Sequence, residues 1–296
     1  KFNKLNTKTN YRKNILQGLT YDIFRKRLDE ISYSNDPDFI SSGIGKSDFN
    51  QNYSFEYFFV NLTKENLERG IARFYTEVER VLRYGFNEAE LKAAKDRYLL
   101  TSEDDLLESK TRSSISYVDE FERNYLNDEM ISGKEYELKL KKELIPTLTI
   151  NEINQYFSEL FNEGNKFIEI KSPPNIENLP DLNQIKTIRK AAQKLDIKPY
   201  ESKKLEKIKI SDDLKGSKII KKTKIPNTGV QKFILENGVT VFLKSTDFDE
   251  NIVYFKSRSS GGFSVADNEL LPSAQFTDEV LELADIGNLK KVDLRK

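Results

Sequence analysis

Phe233-Ile-Leu-Glu-Asn-Gly-Val-Thr-Val-Phe-Leu-Lys-Ser-Thr-Asp-Phe248 reads as two alternating apolar segments folded back about Asn237-Gly238. Alternation with period two is the mark of a half-buried strand, and Asn-Gly is the strongest short-range hairpin signal. A two-residue type I′ turn, in which both central residues take positive φ, is therefore expected at Asn237-Gly238. A further strand-like run, Ile252-Val-Tyr-Phe-Lys-Ser257, follows an Asp-rich turn and leads into Gly261-Gly262-Phe-Ser264. A helix is expected from about Ser273 to Ala284. This order opens an α+β unit, and the 34 residues after Gly262 are too few to complete one.

The totals narrow the chemistry. The chain has 296 residues, enough for about two domains. It carries 48 basic and 48 acidic residues, a balance that gives no electrostatic reason to expect nucleic acid or an anionic membrane as a partner. No apolar run approaches the roughly 20 residues that cross a bilayer. There is no cysteine, so disulfides, thiolate metal sites and a cysteine nucleophile are excluded from these residues. There is no histidine either, which removes the commonest metal ligand and the usual general base near neutral pH.

Outward from the hairpin, the N-terminal half carries the clearer periodicity. Ile15, Leu19, Ile23 and Leu28, with Phe24 beside them, mark one face of a helix that starts near Tyr11 and stops before Asn35-Asp-Pro37. Phe39 to Asp48 and Ser54 to Thr63 read as strands; in the second, Phe55, Tyr57 and Phe59 alternate with Glu56 and Phe58. Lys64 to Tyr84 is an amphipathic helix burying Ile71, Phe74, Val78, Val81 and Leu82, with Gly85 expected in the left-handed region behind it. Asn87-Glu-Ala-Glu90 opens the next helix as a capping box, running to about Asp105, and a further helical segment covers about Leu106 to Leu126. Thr149-Ile-Asn-Glu152 is a second capping box ahead of Ile153, Tyr156, Phe157, Leu160 and Phe161, and Phe167-Ile-Glu-Ile170 reads as a short strand ended by Pro173-Pro174. The expected fold class is α+β, an antiparallel sheet covered by helices on one face. We expect three regions: a first α+β domain over 1–172, a connector over 173–229 with a basic helix from Ile185 to Leu195, and the start of a further α+β domain over 230–296.

Several stretches resemble the pitrilysin/insulinase-type zinc peptidases, in the order that family has them. Tyr11 to Ile31, with Arg27-Leu-Asp-Glu30, is similar to the first helix of the family's second unit. Glu77-Val-Glu-Arg-Val-Leu-Arg-Tyr-Gly-Phe-Asn-Glu-Ala-Glu-Leu-Lys-Ala-Ala-Lys95 resembles its recurring helix pair. Leu148-Thr-Ile-Asn-Glu152 resembles the turn before that unit's last helix, and Ile197-Lys-Pro-Tyr200 the connector between halves. The resemblance implies the LuxS/mitochondrial-processing-peptidase-like unit, with residues 1 to about 170 in the second of four units and those from about 230 in the third. It also implies an internal piece, with zinc held by a unit encoded upstream, the remaining domains of the same polypeptide as partners, a peptide as the parent's substrate, and a bacterial periplasmic or envelope location.

In such peptidases H-x-x-E-H puts two imidazoles on one helical face, with a glutamate that activates water. The corresponding segment here is Ala274-Gln-Phe-Thr-Asp-Glu-Val280, where Gln275 and Glu279 stand at the imidazole positions and Asp278 at the glutamate. That is a degenerate copy, and no catalytic, cofactor-binding or metal residue is expected in the chain. Glu103-Asp-Asp105 reads as a solvated helix face rather than a cation site, because adjacent helical positions point in different directions. Gly261-Gly262 reads as a turn, since no Lys-Ser/Thr follows as in a phosphate-binding loop. The nine lysines between 203 and 224 are interspersed with Glu206, Asp212 and Asp213. Asn52-Tyr-Ser and Asn61-Leu-Thr match glycosylation sequons, the second in strand context. The expected role is a chamber wall of a zinc endopeptidase, itself inactive; the alternative is a binding or assembly module of the same fold. The hairpin's Phe233, Leu235, Val239, Val241 and Leu243 cannot all be buried by a truncated unit. Self-association through 233–257, docking on the first domain, or high mobility is expected.

Overall fold

The computed structural model describes residues 5–34, 36–50, 53–162, 166–174, 176–201, 215–247, 253–281, 284–289 and 291. The chain divides into two compact units, residues 1–205 and 206–295.

In the first unit, α1 (Lys8–Ser32) is capped by the Thr7 hydroxyl, which accepts from Asn10 N at 3.2 Å. Its buried face is Ile15, Leu19, Ile23, Phe24, Leu28 and Ile31, the spacing read from the sequence. β1 (Ser41–Asn50) and β2 (Tyr53–Asn61) pair antiparallel, with Ile44 opposite Phe58 and Gly45 opposite Tyr57. α2 (Leu67–Tyr84) follows a short 3-10 turn and buries Phe74, Val78 and Val81. α3 (Glu88–Glu108) opens with the Asn87–Glu90 capping box. α4 (Ser114–Asn127) buries no residue, α5 (Lys134–Leu144) packs on α3, and α6 (Ile150–Asn162) returns to α1. The core closes around Phe24, whose ring meets Phe58, Phe74 and Phe86 edge-on at 6.1, 6.3 and 6.5 Å and lies tilted 4.8 Å from Phe157. These ring contacts join the sheet to α1, α2 and α6, which gives an antiparallel sheet covered by helices on one face.

Two local expectations are corrected, and one helix is added. Gly85 ends α2 at φ 71°, ψ −176°, outside the left-handed helical well and in a region open in practice to glycine alone. The added helix is α5, which follows Gly133 at φ 76°; its buried Leu140 and Leu144 are too few to make a readable stripe. Phe167 to Ile170 joins no strand, because it has no ladder partner among the described residues, and Phe167 is 88% exposed.

Of the segment 173–229, α7 (Leu182–Ala192) packs against α2 within the first unit, while β3 (Ile219–Lys224) belongs to the second unit's sheet. That sheet has the order β3-β4-β5, all antiparallel, with β4 (Gln231–Leu235) and β5 (Thr240–Leu243) forming the hairpin. The turn has three residues. Leu235 N donates to Val239 O at 2.9 Å, and only Gly238 takes positive φ (86°). A type I turn closed by a left-handed glycine thus replaces the expected I′ turn, and Asn237 uses its side chain to accept from Val239 N at 3.2 Å.

The expected strand Ile252–Ser257 is not formed: residues 253–257 join no ladder, and Ile252 lies outside the described residues. The expected helix Ser273–Ala284 is broken at Phe276 into α8 (Leu271–Gln275) and α9 (Thr277–Leu281). Neither five-residue piece buries a side chain, and helices this short are marginal without tertiary packing.

Candidate functional site

The degenerate motif falls on this break. Gln275 ends α8, Asp278 and Glu279 sit in the first turn of α9, and all three are exposed. The i, i+4 geometry that aligns two ligands needs one continuous helix, which these positions do not share. Among the described residues, no group of three acidic side chains is placed to hold a metal ion. Glu103 pairs with Lys142 at 2.6 Å, whereas Asp105 acts on Tyr98 and Lys141, so this acidic run diverges. Gly261 and Gly262, at φ 112° and 74°, turn the chain into a short 3-10 segment.

The most elaborate polar assembly is interior to the first unit. Arg27, near the C-terminal end of α1, is buried and holds Glu90 in a two-pronged pair at 2.6 and 2.8 Å. It also donates to Gly85 O at 3.1 Å and faces Glu77 at 3.4 Å. Its guanidinium stacks on Phe86 at 4.9 Å and on Tyr200 at 4.2 Å. Tyr200 donates to Glu30 Oε1 at 2.8 Å, and burial, then that bond, pushes its pKa up. α2 holds the preceding residues by their carbonyls. Arg83 donates to Leu195 O and Gln193 O, each at 2.7 Å, Tyr84 to Ile197 O at 2.7 Å, and Arg80 to Lys198 O. Ile185, Ala192 and Ile197 are buried beneath them. Arg80, Arg83 and Tyr84 thus fix the segment ahead of Tyr200 on α2, while Arg27 ties α1 to Glu90 of α3 and, with Glu30, holds Tyr200.

A second cluster surrounds Glu56 of β2. Its Oε1 accepts from Gln17 at 2.5 Å, from Tyr21 at 2.8 Å and from Tyr156. Burial, then the bond to Glu56, raises both phenols' pKa values and keeps them as neutral donors. Asn10, Lys13, Asn14, Lys46 and Ser54 line the cleft beside it.

The face of the β1–β2 sheet away from the helices is different. It carries Ser41, Gly43, Gly45 and Ser47 opposite Asn61, Phe59, Tyr57 and Phe55, and ends at Tyr53. The rings of Tyr57 and Phe59 lie over glycine backbone. A Cβ built on Gly45 would stand 2.7 Å from Tyr57 Cζ, and one on Gly43 2.8 Å from Phe59 Cε1. The alternation of Phe55, Tyr57 and Phe59 was legible in the sequence; that the aromatic side faces away from the core was not.

No family model matches the chain. Over 190 residues, 63% of its length, the chain is 28% identical to a zinc protease PQQL-like protein of Arabidopsis thaliana, and the match covers 20% of that protein. The periplasmic protease PqqL of Escherichia coli has the same fold at 14% identity (TM-score 0.61), over 99% of this chain and 32% of that one. A predicted insulinase family protease from Yersinia pestis superposes with a TM-score of 0.54 at 12% identity, over 64% of this chain and 41% of its own. The chain thus spans a fifth of the curated relative's length and less than half of either solved protein. The sequence match and the shared fold together identify the chain as resembling part of a pitrilysin/insulinase-type protein.

Proposed function

We propose that the chain is a non-catalytic internal part of a zinc-dependent endopeptidase, walling a peptide-substrate chamber and supporting a metal-bearing unit encoded upstream. The observation that carries this reading is a pairing: 28% identity to a protein described as a zinc protease, in a chain of 296 residues that contains no histidine. Zinc is expected in the parent, not here. One carboxamide and two carboxylates, exposed on two separate helical turns at Gln275, Asp278 and Glu279, do not fit the ligand set of that metal. The division into a first peptidase-like domain over 1–172, a connector over 173–229 and the start of a further one from 230 belongs to the same reading. So does a bacterial envelope location, which the likeness to a periplasmic protease favours and the plant origin of the curated relative does not. Self-association through 233–257 remains part of it as well.

The test is hydrolysis of a mixed set of fluorogenic peptides by the purified chain, with and without added zinc. No turnover is expected; zinc-dependent cleavage that is lost with chelator and persists through repurification would refute the reading. The alternative, a binding or assembly module of the same fold, is favoured by the uncovered aromatic face of the sheet. It predicts that a full-length reading frame encodes no H-x-x-E-H ahead of Lys1.

A further inference from the structure

α4 carries its apolar side outward. It buries no residue, and only Ser116, Glu120 and Asn127 are even partly covered. At 3.6 residues per turn those three polar positions share one side of the helix, the side turned to the rest of the unit. Ile115, Val118, Phe121 and Tyr125 fall on the opposite side, within an arc of about 120°. They are 65%, 55%, 55% and 85% exposed. Together they leave on the order of 500 Å² of apolar surface open to water, the size of patch that on a monomer is often functional. A helix of 14 residues is marginal in water unless its apolar face is packed, so this orientation needs an explanation other than the folding of the unit.

Spacing and charge select the occupant. Ile115, Val118, Glu122 and Tyr125 follow one another at intervals of three, four and three, the seam of a two-helix contact, with Phe121 flanking it. Glu122 is the one charged member of that seam. Between Arg112 and Met130 there are five acidic and two basic residues, and both arginines are engaged, Arg112 with Glu120 at 2.8 Å and Arg123 with Glu129 at 3.2 Å. Among the described residues no cation pairs with Asp119 or Glu122. A second copy meeting this patch across a two-fold axis would bring those carboxylates toward their own kind. The open area also falls short of the roughly 800 Å² per partner that a stable dimer buries. An anionic lipid surface is repelled by the same carboxylates. We infer that the outer face of α4 docks an amphipathic helix of another polypeptide, with apolar residues at the same three-four spacing and a lysine or arginine set against Glu122. This goes beyond the protease reading and does not rest on it.

The test uses the whole chain and a fluorescein-labelled synthetic helix of three heptads, followed by fluorescence anisotropy. The helix has Leu along its seam, one Lys at the centre of that seam, and Lys or Arg on either side. It is expected to bind saturably, and its counterpart with Glu in place of every basic residue at least tenfold more weakly. The double variant Val118→Ser, Tyr125→Ser should lose at least fivefold in affinity while keeping the wild-type circular dichroism melt, since neither side chain is buried. Glu122→Lys should narrow the preference for the basic helix at least fivefold. Hydroxyl-radical footprinting of the unmodified chain gives a readout that needs no variant: the basic helix should protect Phe121 and Tyr125 from oxidation. Absence of binding, equal binding by the double variant, an unchanged preference in Glu122→Lys, or no protection of these rings would each overturn the inference. So would a dimer of the chain that dissolves in the double variant, because the occupant would then be a second copy. None of these outcomes bears on catalysis, and hydrolysis by the chain would overturn the protease-wall reading without touching α4.

Discussion

At Gly85 the backbone takes φ 71°, ψ −176°, and an added Cβ would stand 2.5 Å from Asn154 Nδ2. Asn154 is not free to withdraw, because its Oδ1 accepts from Phe86 N at 2.7 Å. Gly85→Ala should therefore destabilise the chain by about 1–3 kcal/mol, read as a lower urea midpoint with an unchanged slope. Arg27→Met is expected to cost more, about 3–5 kcal/mol, since in a site excluded from water Glu90 loses its cation and Glu77 keeps only Arg80 at 2.9 Å. A loss below 1 kcal/mol would mean those charges are relieved some other way. The sequence marked Gly85 as a helix end, because glycine follows a helical period there, but could not say which positive-φ region it occupies. Arg27 stood in an ordinary helical run, and its partners lie 50 and 63 residues away, beyond any local pattern.

The entry to α6 shows how one element depends on pH. Thr149 N and its hydroxyl donate to Glu152 Oε2 at 2.9 and 3.0 Å, and Glu152 N donates back to the Thr149 hydroxyl at 3.3 Å. The bond from Arg12 is the largest cause holding the Glu152 carboxyl down to about 2. A depressed carboxyl stabilises the fold above its unfolded value of about 4.3 and loses that contribution as pH falls toward 2. Both side chains are about a third exposed, so solvent screening leaves roughly 1 kcal/mol for the pair. Glu152→Gln should lower the urea midpoint at pH 6, and the gap to wild type should close between about pH 5 and pH 2; a gap independent of pH would rule out the ion pair as its source. α3 and α6, whose period and capping boxes agree, were readable from residue order alone, and α1 and α2 from their period. The run Val253-Tyr254-Phe255 was not, because its composition favours a strand while a strand exists only where another lies beside it.

Across the whole molecule, Tyr11, Tyr21, Tyr75, Tyr98, Tyr156 and Tyr200 all have pKa values raised, by burial first in every case. In the unfolded chain phenols ionise near 10. Stability from these residues is intact below that pH and falls above it, as the unfolded state gives up protons the folded state keeps. Following phenolate absorbance, we expect these six of the 14 tyrosines to ionise only as the chain unfolds; smooth ionisation of all of them in the folded state would contradict their burial. The α+β class and the family likeness were legible, because they rest on order and spacing. The docking of Leu182–Tyr200 was hidden, since arginines gripping backbone carbonyls leave no trace in the residues being gripped. That grip bears on how the protein responds to trypsin. Lys171 lies exposed in a stretch without helix or strand, whereas the segment beyond it is tied to α2 by Arg80, Arg83 and Tyr84. A nick there severs the covalent thread yet leaves both pieces travelling together through a sizing column, and they part only in denaturant.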